Sequence, residues 1–187
     1  MIMTQAELNE ILEKHKKWLN NEPGGERANL SGSDLSCSNL SRCNLSRCNL
    51  SHCNLSACDL CGSNLRGSDL RGSDLRGCNL RGCNLRGSDL RGCDLSGSDL
   101  RGCDLSGSNL SGSDLRGCNL DFSCLPLWCG SLYAYFDDRQ SVQFVYPAGR
   151  AGLRSPNVSD EVKAELRKVI PLANRFHHAE ECGVIEE

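Results

Sequence analysis

Residues 63–82 read SNLRGSDLRGSDLRGCNLRG, which is one five-residue unit written four times with small changes. The same unit extends well beyond this stretch, because Leu occupies every fifth position from Leu30 to Leu125 without interruption. Asn or Asp precedes each of these leucines except Leu125, and a small residue (Ser, Cys or once Ala) stands before that. Twenty consecutive units fill just over half of the 187 residues, so the repeat decides the fold.

A period of five fits neither of the two regular elements. Along an α-helix the leucines would spread over every side, and along a flat strand they would alternate between the two faces. The chain must therefore turn every five residues, with the small residue and Leu pointing inward and Asn or Asp pointing outward. Four such sides close a coil of about twenty residues, and coils can stack by parallel pairing about 4.8 Å apart. We expect an all-β solenoid with right-handed winding.

The segment 28–127 resembles the pentapeptide repeat family, whose units read Ala-(Asp/Asn)-Leu-X-X. The resemblance implies a right-handed quadrilateral parallel β-helix, here of about five coils. The family favours Ala two residues before Leu, yet only Ala28 fits, and Ser or Cys fills the other nineteen positions. Both residues are small, so the coil should still close.

The leucines are the predicted core, since residues twenty apart should stack in four inward columns. Each buried Leu contributes roughly 1.5–3 kcal/mol of hydrophobic free energy before entropy is subtracted. We expect the structural core to include Leu50, Leu55, Leu60, Leu65, Leu70, Leu75, Leu80, Leu85, Leu90, Leu95, Leu100 and Leu105.

Nine of the small inward positions hold cysteine, and three interpretations stay open. The one we favour is that Cys acts as a small core residue. A second is a metal site, because four cysteines within residues 43–58 take all four sides of one coil, although leucines fill the axis between them. A third is disulfide formation between stacked residues, Cys58 with Cys78 or Cys83 with Cys103, although parallel side chains make the torsion angle poor. Inward serines should donate to one another or to backbone carbonyls.

The outward positions carry charges of both signs. Arg follows Leu in many units and Asp precedes it in many, so the repeat is close to neutral. A solvated mixed-charge surface is one interpretation, and a surface ladder of arginines that binds a partner is the other. The candidate binding ladder consists of Arg66, Arg71, Arg76, Arg81, Arg86, Arg91 and Arg101.

The N-terminal segment, residues 1–27, predicts a capping helix, because the open edge of a stacked sheet promotes aggregation. Residues 4–20 have the apolar spacing of an amphipathic helix, and Thr4 with Glu7 has the pattern of a capping box. His15 lies on the apolar stripe and is interpreted as a packed residue.

The repeat segment gives way to residues 128–187, which we expect to form a C-terminal cap with helices. One of these helices should begin at Ser159, where Asp160 and Glu161 follow in the first turn. Relatives in the family often dimerise through their C-terminal ends, so the resemblance raises the expectation of a homodimer through this segment.

Motifs of catalysis are absent from the sequence: there is no nucleophile motif, phosphate-binding loop or metal-binding helix. We expect no enzyme and no cofactor, but a structural or interaction protein with a protein partner that the sequence does not identify. The net charge of −3 argues against nucleic-acid binding by bulk charge. No apolar stretch is long enough to cross a membrane and no secretory signal is recognisable, so a cytoplasmic location with reduced thiols is expected.

The resemblance adds one alternative function. Some members of the family imitate a DNA duplex and bind DNA gyrase or topoisomerase, which requires a strongly acidic surface. Arg nearly cancels Asp along this repeat, and this disfavours the alternative.

Overall fold

The computed structural model describes residues 3–125, 159–161, 163–164 and 167–168. The chain forms two compact units, Met1–Tyr135 and Phe136–Glu187. In the second unit the described residues from 160 onward are helical, and the Lys163 N–H donates to the Ser159 carbonyl at 2.9 Å, as in the first turn of a helix. The rest of the predicted C-terminal cap lies outside the described residues. None of the helices formed by the described residues is long and apolar enough to span a bilayer.

From residue 28 onward the chain winds into a solenoid in which residues twenty apart are paired. Parallel bridges run from Asn29↔Asn49 to Asp104↔Cys124 at intervals of five residues. At the first bridge the Leu30 N–H donates to the Asn49 carbonyl at 2.8 Å, and the Asn49 N–H donates to the carbonyl of residue 28 at 3.1 Å. Because the pattern repeats at every bridge, each coil is tied to the next on all four sides.

Each side of a coil contributes a single bridged residue and no longer strand. From residue 48 to residue 120 the small residue and Leu are buried, and the Asn or Asp between them is partly exposed, as the predicted alternation requires. The chain turns directly after Leu, so a side has no room for a second bridge. The solenoid therefore has the pairing of a parallel sheet with little continuous strand.

A tight turn joins neighbouring sides. The N–H of the next small residue donates to the Leu carbonyl, as Ser63 does to Leu60 at 3.0 Å. The residue before it has a positive φ, for example +67° at Gly62, as a type II turn requires at its third position. Glycine fills this position in most coils, but the first coils place other residues there, among them Cys37 and Ala57 with φ of +58° and +56°. L-residues disfavour this left-handed conformation by about 1–2 kcal/mol.

Leucine side chains fill the axis of the solenoid. Every repeat Leu from Leu30 to Leu120 is at most 6% exposed, and the twelve from Leu50 to Leu105 are at most 1% exposed. The core is thus a column of aliphatic side chains enclosed by backbone.

The inward Ser and Cys side chains donate to leucine carbonyls. Ser68 Oγ donates to the Leu45 carbonyl at 2.7 Å, and Cys78 Sγ donates to the Leu55 carbonyl at 2.9 Å, each 23 residues earlier in the chain. Ser108 instead donates to Leu105 in its own turn, at 2.7 Å. The prediction that inward serines find backbone carbonyls is confirmed for these residues. Ser and Cys make the same bond, which accounts for their interchange along the repeat.

Helix α1, Gln5–Leu19, precedes the solenoid. The Glu7 N–H donates to Thr4 Oγ1 and the Thr4 N–H donates to the Glu7 carboxylate at 2.8 Å, so the predicted capping box is confirmed. After the helix, a Cβ at Gly25 would lie 2.3 Å from the backbone nitrogen of Trp18. Only glycine allows the chain to pass this close to α1 on its way to the first coil.

His15 ties α1 to the first coil. Its side chain is fully buried and its ring stacks on Trp18 with the centroids 5.5 Å apart. The Ala28 N–H donates to Nδ1 at 3.2 Å, so the proton is on Nε2, which donates to the Ser46 carbonyl at 3.0 Å. In later coils the corresponding carbonyl accepts an N–H from the coil before it. His15 therefore takes the place of a neighbour that the first coil lacks.

The substitution Leu75→Ala should lower the free energy of unfolding by about 2–5 kcal/mol, because it removes buried methyl groups and leaves a cavity inside the coil. Denaturant titration followed by circular dichroism measures the change. Leu125→Ala is the matched control at the end of the repeat, where the side chain is already partly exposed, and it should cost less. Equal losses at both positions would contradict the buried leucine column.

The substitution Ala57→Gly should raise the free energy of unfolding by about 0.5–1 kcal/mol, since it relieves the left-handed backbone at φ +56° by more than glycine's added entropy costs. The reverse change, Gly82→Ala, puts a Cβ in open space and isolates the backbone effect. It should lower the free energy of unfolding by about 1 kcal/mol. Thermal unfolding of both variants measures this, and shifts of the same sign would overturn the assignment.

The free energy of unfolding should depend on pH through His15. Burial lowers the pKa of His15 below its ordinary value of 6.5. As the pH falls through that value the unfolded chain takes up a proton that the folded chain does not, so stability falls; above it, stability levels off. His15→Gln keeps a donor and an acceptor but does not titrate, and it should flatten the profile between about pH 5 and about pH 7. The exposed His52 is the control. If His52→Gln removed the pH dependence of the free energy of unfolding and His15→Gln left it unchanged, the assignment of this dependence to His15 would be refuted.

Candidate interaction surface

The outward surface of the solenoid consists of four faces that meet at four corners. Each face carries the bridged Asn or Asp residues, which stack twenty apart, and each corner carries the two residues after Leu. We define the Asn44 face as the one formed by Asn44, Asn64, Asn84 and Asp104, with Cys124 bridged to Asp104 at its end. The chain enters this face from the corner that contains Arg81 and leaves it through the corner that contains Arg66 and Arg86.

The Asn and Asp side chains first stabilise the turn that follows them. On the Asn44 face the Arg66 N–H donates to Asn64 Oδ1 and the Arg86 N–H donates to Asn84 Oδ1, both at 3.1 Å. This is an Asx turn, in which the side-chain oxygen caps the backbone two residues on. The amide oxygen is used in this way, and the Nδ2 groups of Asn64 and Asn84, unlike that of Asn79, do not donate to the residue stacked next to them.

Units that read Asp-Leu-Arg form an ion pair within the unit. In one of them Arg71 Nε donates to Asp69 Oδ1 at 2.8 Å, and Arg71 Nη2 donates to Asp69 Oδ2 at 2.5 Å. The side-chain hydrogen bond from Arg71 lowers the pKa of Asp69 below its ordinary value. The other units of this kind are held alike; their arginines are Arg76, Arg91, Arg101 and Arg116. Exposed pairs contribute little stability, but each guanidinium is occupied.

Units that read Asn-Leu-Arg leave the arginine without such a partner. Arg66, Arg81 and Arg86 follow Asn64, Asn79 and Asn84, whose amides carry no charge. These three arginines are exposed, and none of them forms an ion pair with any residue that the structure describes. The choice between Asn and Asp two residues earlier therefore decides whether an arginine is held by a carboxylate of its own unit.

Two further arginines stand at the positive-φ position of the first coil. Arg42 and Arg47 are exposed and have φ of +58° and +61°, and neither forms an ion pair within the described part of the chain. A Cβ at Gly62 would lie 3.7 Å from Arg42 Cγ, and a Cβ at Gly67 would lie 3.8 Å from Arg47 Cγ. Each side chain thus runs along its corner toward the next coil.

Five arginines of the repeat that form no ion pair with a described residue border one face. Arg42 and Arg81 lie at the corner where the chain enters the Asn44 face, and Arg47, Arg66 and Arg86 lie at the corner where it leaves. The predicted ladder of seven arginines is therefore not one surface, since Arg71, Arg76, Arg91 and Arg101 are held by Asp. Sequence reasoning grouped the arginines by their position after Leu; the signal that separates them is the Asn or Asp two residues before each.

Most of the buried cysteines donate to leucine carbonyls of the coil and do not converge on one another. Cys53 and Cys58 donate to two different leucine carbonyls, at 2.8 Å each, and no three His, Cys, Asp or Glu side chains among the described residues are arranged to hold a metal. Cys58 and Cys78 are free thiols, and burial raises their pKa to about 11 and about 12. The hydrogen bond to Cys83, together with burial, raises the pKa of Cys103. Such thiols stay protonated at neutral pH and are poor ligands and nucleophiles.

Three solved structures illustrate what this chain is similar to, and two of them are described as pentapeptide repeat proteins. One, from the thylakoid lumen of Arabidopsis thaliana, is 23% identical, with a TM-score of 0.50 over 64% of this chain and 75% of that one. Another, from Nostoc Pcc 7120, is 27% identical, with a TM-score of 0.34 over 73% of this chain and 98% of that one. QnrB1, a plasmid-mediated fluoroquinolone resistance protein, is 19% identical, with a TM-score of 0.38 over 67% of this chain and 73% of that one. A comparison with curated proteins finds no match.

The family described as pentapeptide repeats matches the sequence in eight copies. The matched residues are 26–60, 43–82, 53–92 and 93–125, which together span more than half of the chain. They coincide with the segment in which residues twenty apart are bridged. The chain belongs to the pentapeptide repeat family, and its fold is a right-handed β-helix solenoid.

Proposed function

We propose that the protein is a non-enzymatic interaction protein, which binds a protein partner through the outward side chains of its coils. In this proposal the coils number about five and α1 closes their N-terminal end. The observation that carries the proposal is the contrast between interior and surface. Leucines fill the axis and the inward Ser and Cys groups bond backbone carbonyls. By contrast, five arginines that border the Asn44 face are exposed and form no ion pair among the described residues; they are Arg42, Arg47, Arg66, Arg81 and Arg86.

We also propose residues 128–187 as the second cap and as the segment through which two copies pair. The open edge of the last coil favours such a cover, because unpaired backbone groups at a sheet edge promote association. The helical residues that follow Ser159 support the presence of a helix in this segment.

The proposed compartment is the cytoplasm. A thiol donates a hydrogen bond only while it is reduced, and buried cysteines such as Cys93 and Cys118 donate to leucine carbonyls at 2.8 Å. A reducing environment would preserve these bonds.

Imitation of a DNA duplex toward DNA gyrase or topoisomerase is not favoured. Such imitation requires acidic groups whose charge is not neutralised. Asp69, Asp74, Asp89, Asp99 and Asp114 are each paired with the arginine two residues on.

Affinity capture tests the proposed function. The full-length chain, used as bait in a lysate of its source organism, should repeatedly enrich the same one or few proteins, while light scattering gives the mass of the bait. A bait with Leu75→Ala and Leu80→Ala keeps every outward residue but weakens the coil, so it controls for binding to unfolded chain. Recovery of no protein, or of the same proteins on both baits, would reject the proposal.

A further inference from the structure

The Asn44 face is a surface of hydrogen-bond donors. The amide oxygens of Asn44, Asn64 and Asn84 accept backbone N–H groups at 3.1–3.2 Å, so their Nδ2 groups remain to donate. The guanidinium groups of the five unpaired arginines that border it can only donate. The carboxylate on this face is Asp104, at its C-terminal end; the hydrogen bonds from Ser106 and the nearby charge of Arg86 lower its pKa. A ligand of this face must therefore bring acceptors, and preferably negative ones.

The spacing of the donors indicates the shape of the ligand. Corresponding residues of successive coils are about 4.8 Å apart along the axis. An α-helix has a pitch of about 5.4 Å, so carboxylates on one side of a helix recur almost in step with the coils. On an extended strand, side chains of one face recur every 6.6–6.8 Å or so and would lose register within two coils.

The dimensions of the face agree with a helix. Three extended residues span about 10 Å between corners, and a helix with its side chains is about 10–12 Å across. The unpaired arginines run from Arg42 to Arg86, which is slightly more than two coils. That length corresponds to about two to three helical turns.

Nucleic acid fits the same surface less well. Proteins that bind duplex DNA through its backbone can make about six to ten phosphate contacts, whereas five unpaired arginines border this face. The faces on either side carry aspartates, and the chain has a net charge of −3. A wide polyanion would lie against these carboxylates, whereas a single helix would not.

We propose that the Asn44 face binds an acidic α-helix of a protein partner, which lies along the rod with carboxylates at i, i+4 and i+7 between the two arginine corners. This inference rests on the proposed function and names the face and the chemistry of the partner. Arg66 and Arg86 bond the carboxylates from one corner, Arg42 and Arg81 bond them from the other, and the Asn amides between them donate to the same oxygens. The attraction weakens as salt is added, because the contacts are exposed.

The test is a fluorescence anisotropy titration of the full chain with labelled synthetic helices. The probe is an alanine-rich peptide of about 18 residues with Glu at i, i+4, i+7 and i+11, and the control peptide has the same composition with Glu spread around the helix. In about 50 mM salt the striped peptide should bind at least about tenfold more tightly than the control peptide. Equal binding of both peptides, or no binding of either, would overturn the proposal.

Two pairs of protein variants locate the site. Arg66→Gln with Arg86→Gln should weaken binding of the striped peptide at least about tenfold, since each substitution removes a charge-assisted hydrogen bond. Arg71→Gln with Arg91→Gln changes the net charge equally but removes arginines already held by Asp, and it should change the affinity less than about threefold. Equal losses from both pairs would mean attraction by bulk charge and would reject the site.

A third variant tests the donor surface without removing any arginine. Asn64→Asp with Asn84→Asp creates two Asp-Leu-Arg units, in which Arg66 and Arg86 should be captured as Arg71 is by Asp69. Binding should fall about as far as in the Arg66→Gln, Arg86→Gln variant, and circular dichroism should show the coil unchanged. Unaltered binding would contradict the role of the free guanidinium groups.

A DNA oligonucleotide of about 20 nucleotides is the competing probe. If it binds more tightly than the striped peptide and depends on the same arginines, the partner is a nucleic acid and the acidic helix is rejected. Failure of the peptide with continued capture of a protein partner would reject this inference alone. Failure of affinity capture would reject the proposed function, whatever the peptide does.

Discussion

Hydrogen bonds between residues about twenty apart are the interaction on which the rest of the structure depends. Each unit contributes a Leu N–H, a turn N–H and an Asn or Asp N–H to neighbouring coils. These bonds form only if every unit has the same length, because one additional residue would move all later donors away from their acceptors. The strict period of five from Leu30 to Leu125 is the sequence expression of this constraint. It also explains why the first coil needs His15, whose ring supplies a donor and an acceptor where no earlier coil exists.

The period was enough to predict the coil, the buried leucines and the outward Asn and Asp positions, because these follow from geometry that every unit shares. The role of His15 could not be read in the same way. Its partners Ala28 and Ser46 lie 13 and 31 residues away, and nothing in the local pattern of α1 indicates which backbone groups it meets. The sequence placed it on a packed stripe, and the structure adds that it completes the backbone of the first coil.

The sequence contains the difference between arginines that follow Asp and arginines that follow Asn, but its meaning became clear only from the structure. Asn64 and Asp69 make the same turn, since either side chain accepts the N–H two residues on through Oδ1. The fold therefore does not distinguish them. The other terminal atom of the side chain distinguishes them: the second carboxylate oxygen of Asp binds the guanidinium two residues on, whereas the amide nitrogen of Asn repels it. An exchange of Asn and Asp therefore changes the surface charge of the solenoid while the coil stays the same.

The four-unit coil has a consequence for how such a rod changes over time. Inside, all units are equivalent, so the gain or loss of one unit leaves a continuous leucine column. Outside, the same event moves every later unit around by one face, a quarter turn about the axis. Arginines that now border one face would then border two different faces. The gain or loss of a single unit could therefore create or remove a binding surface. Duplication of four units at once would lengthen the rod and preserve every face.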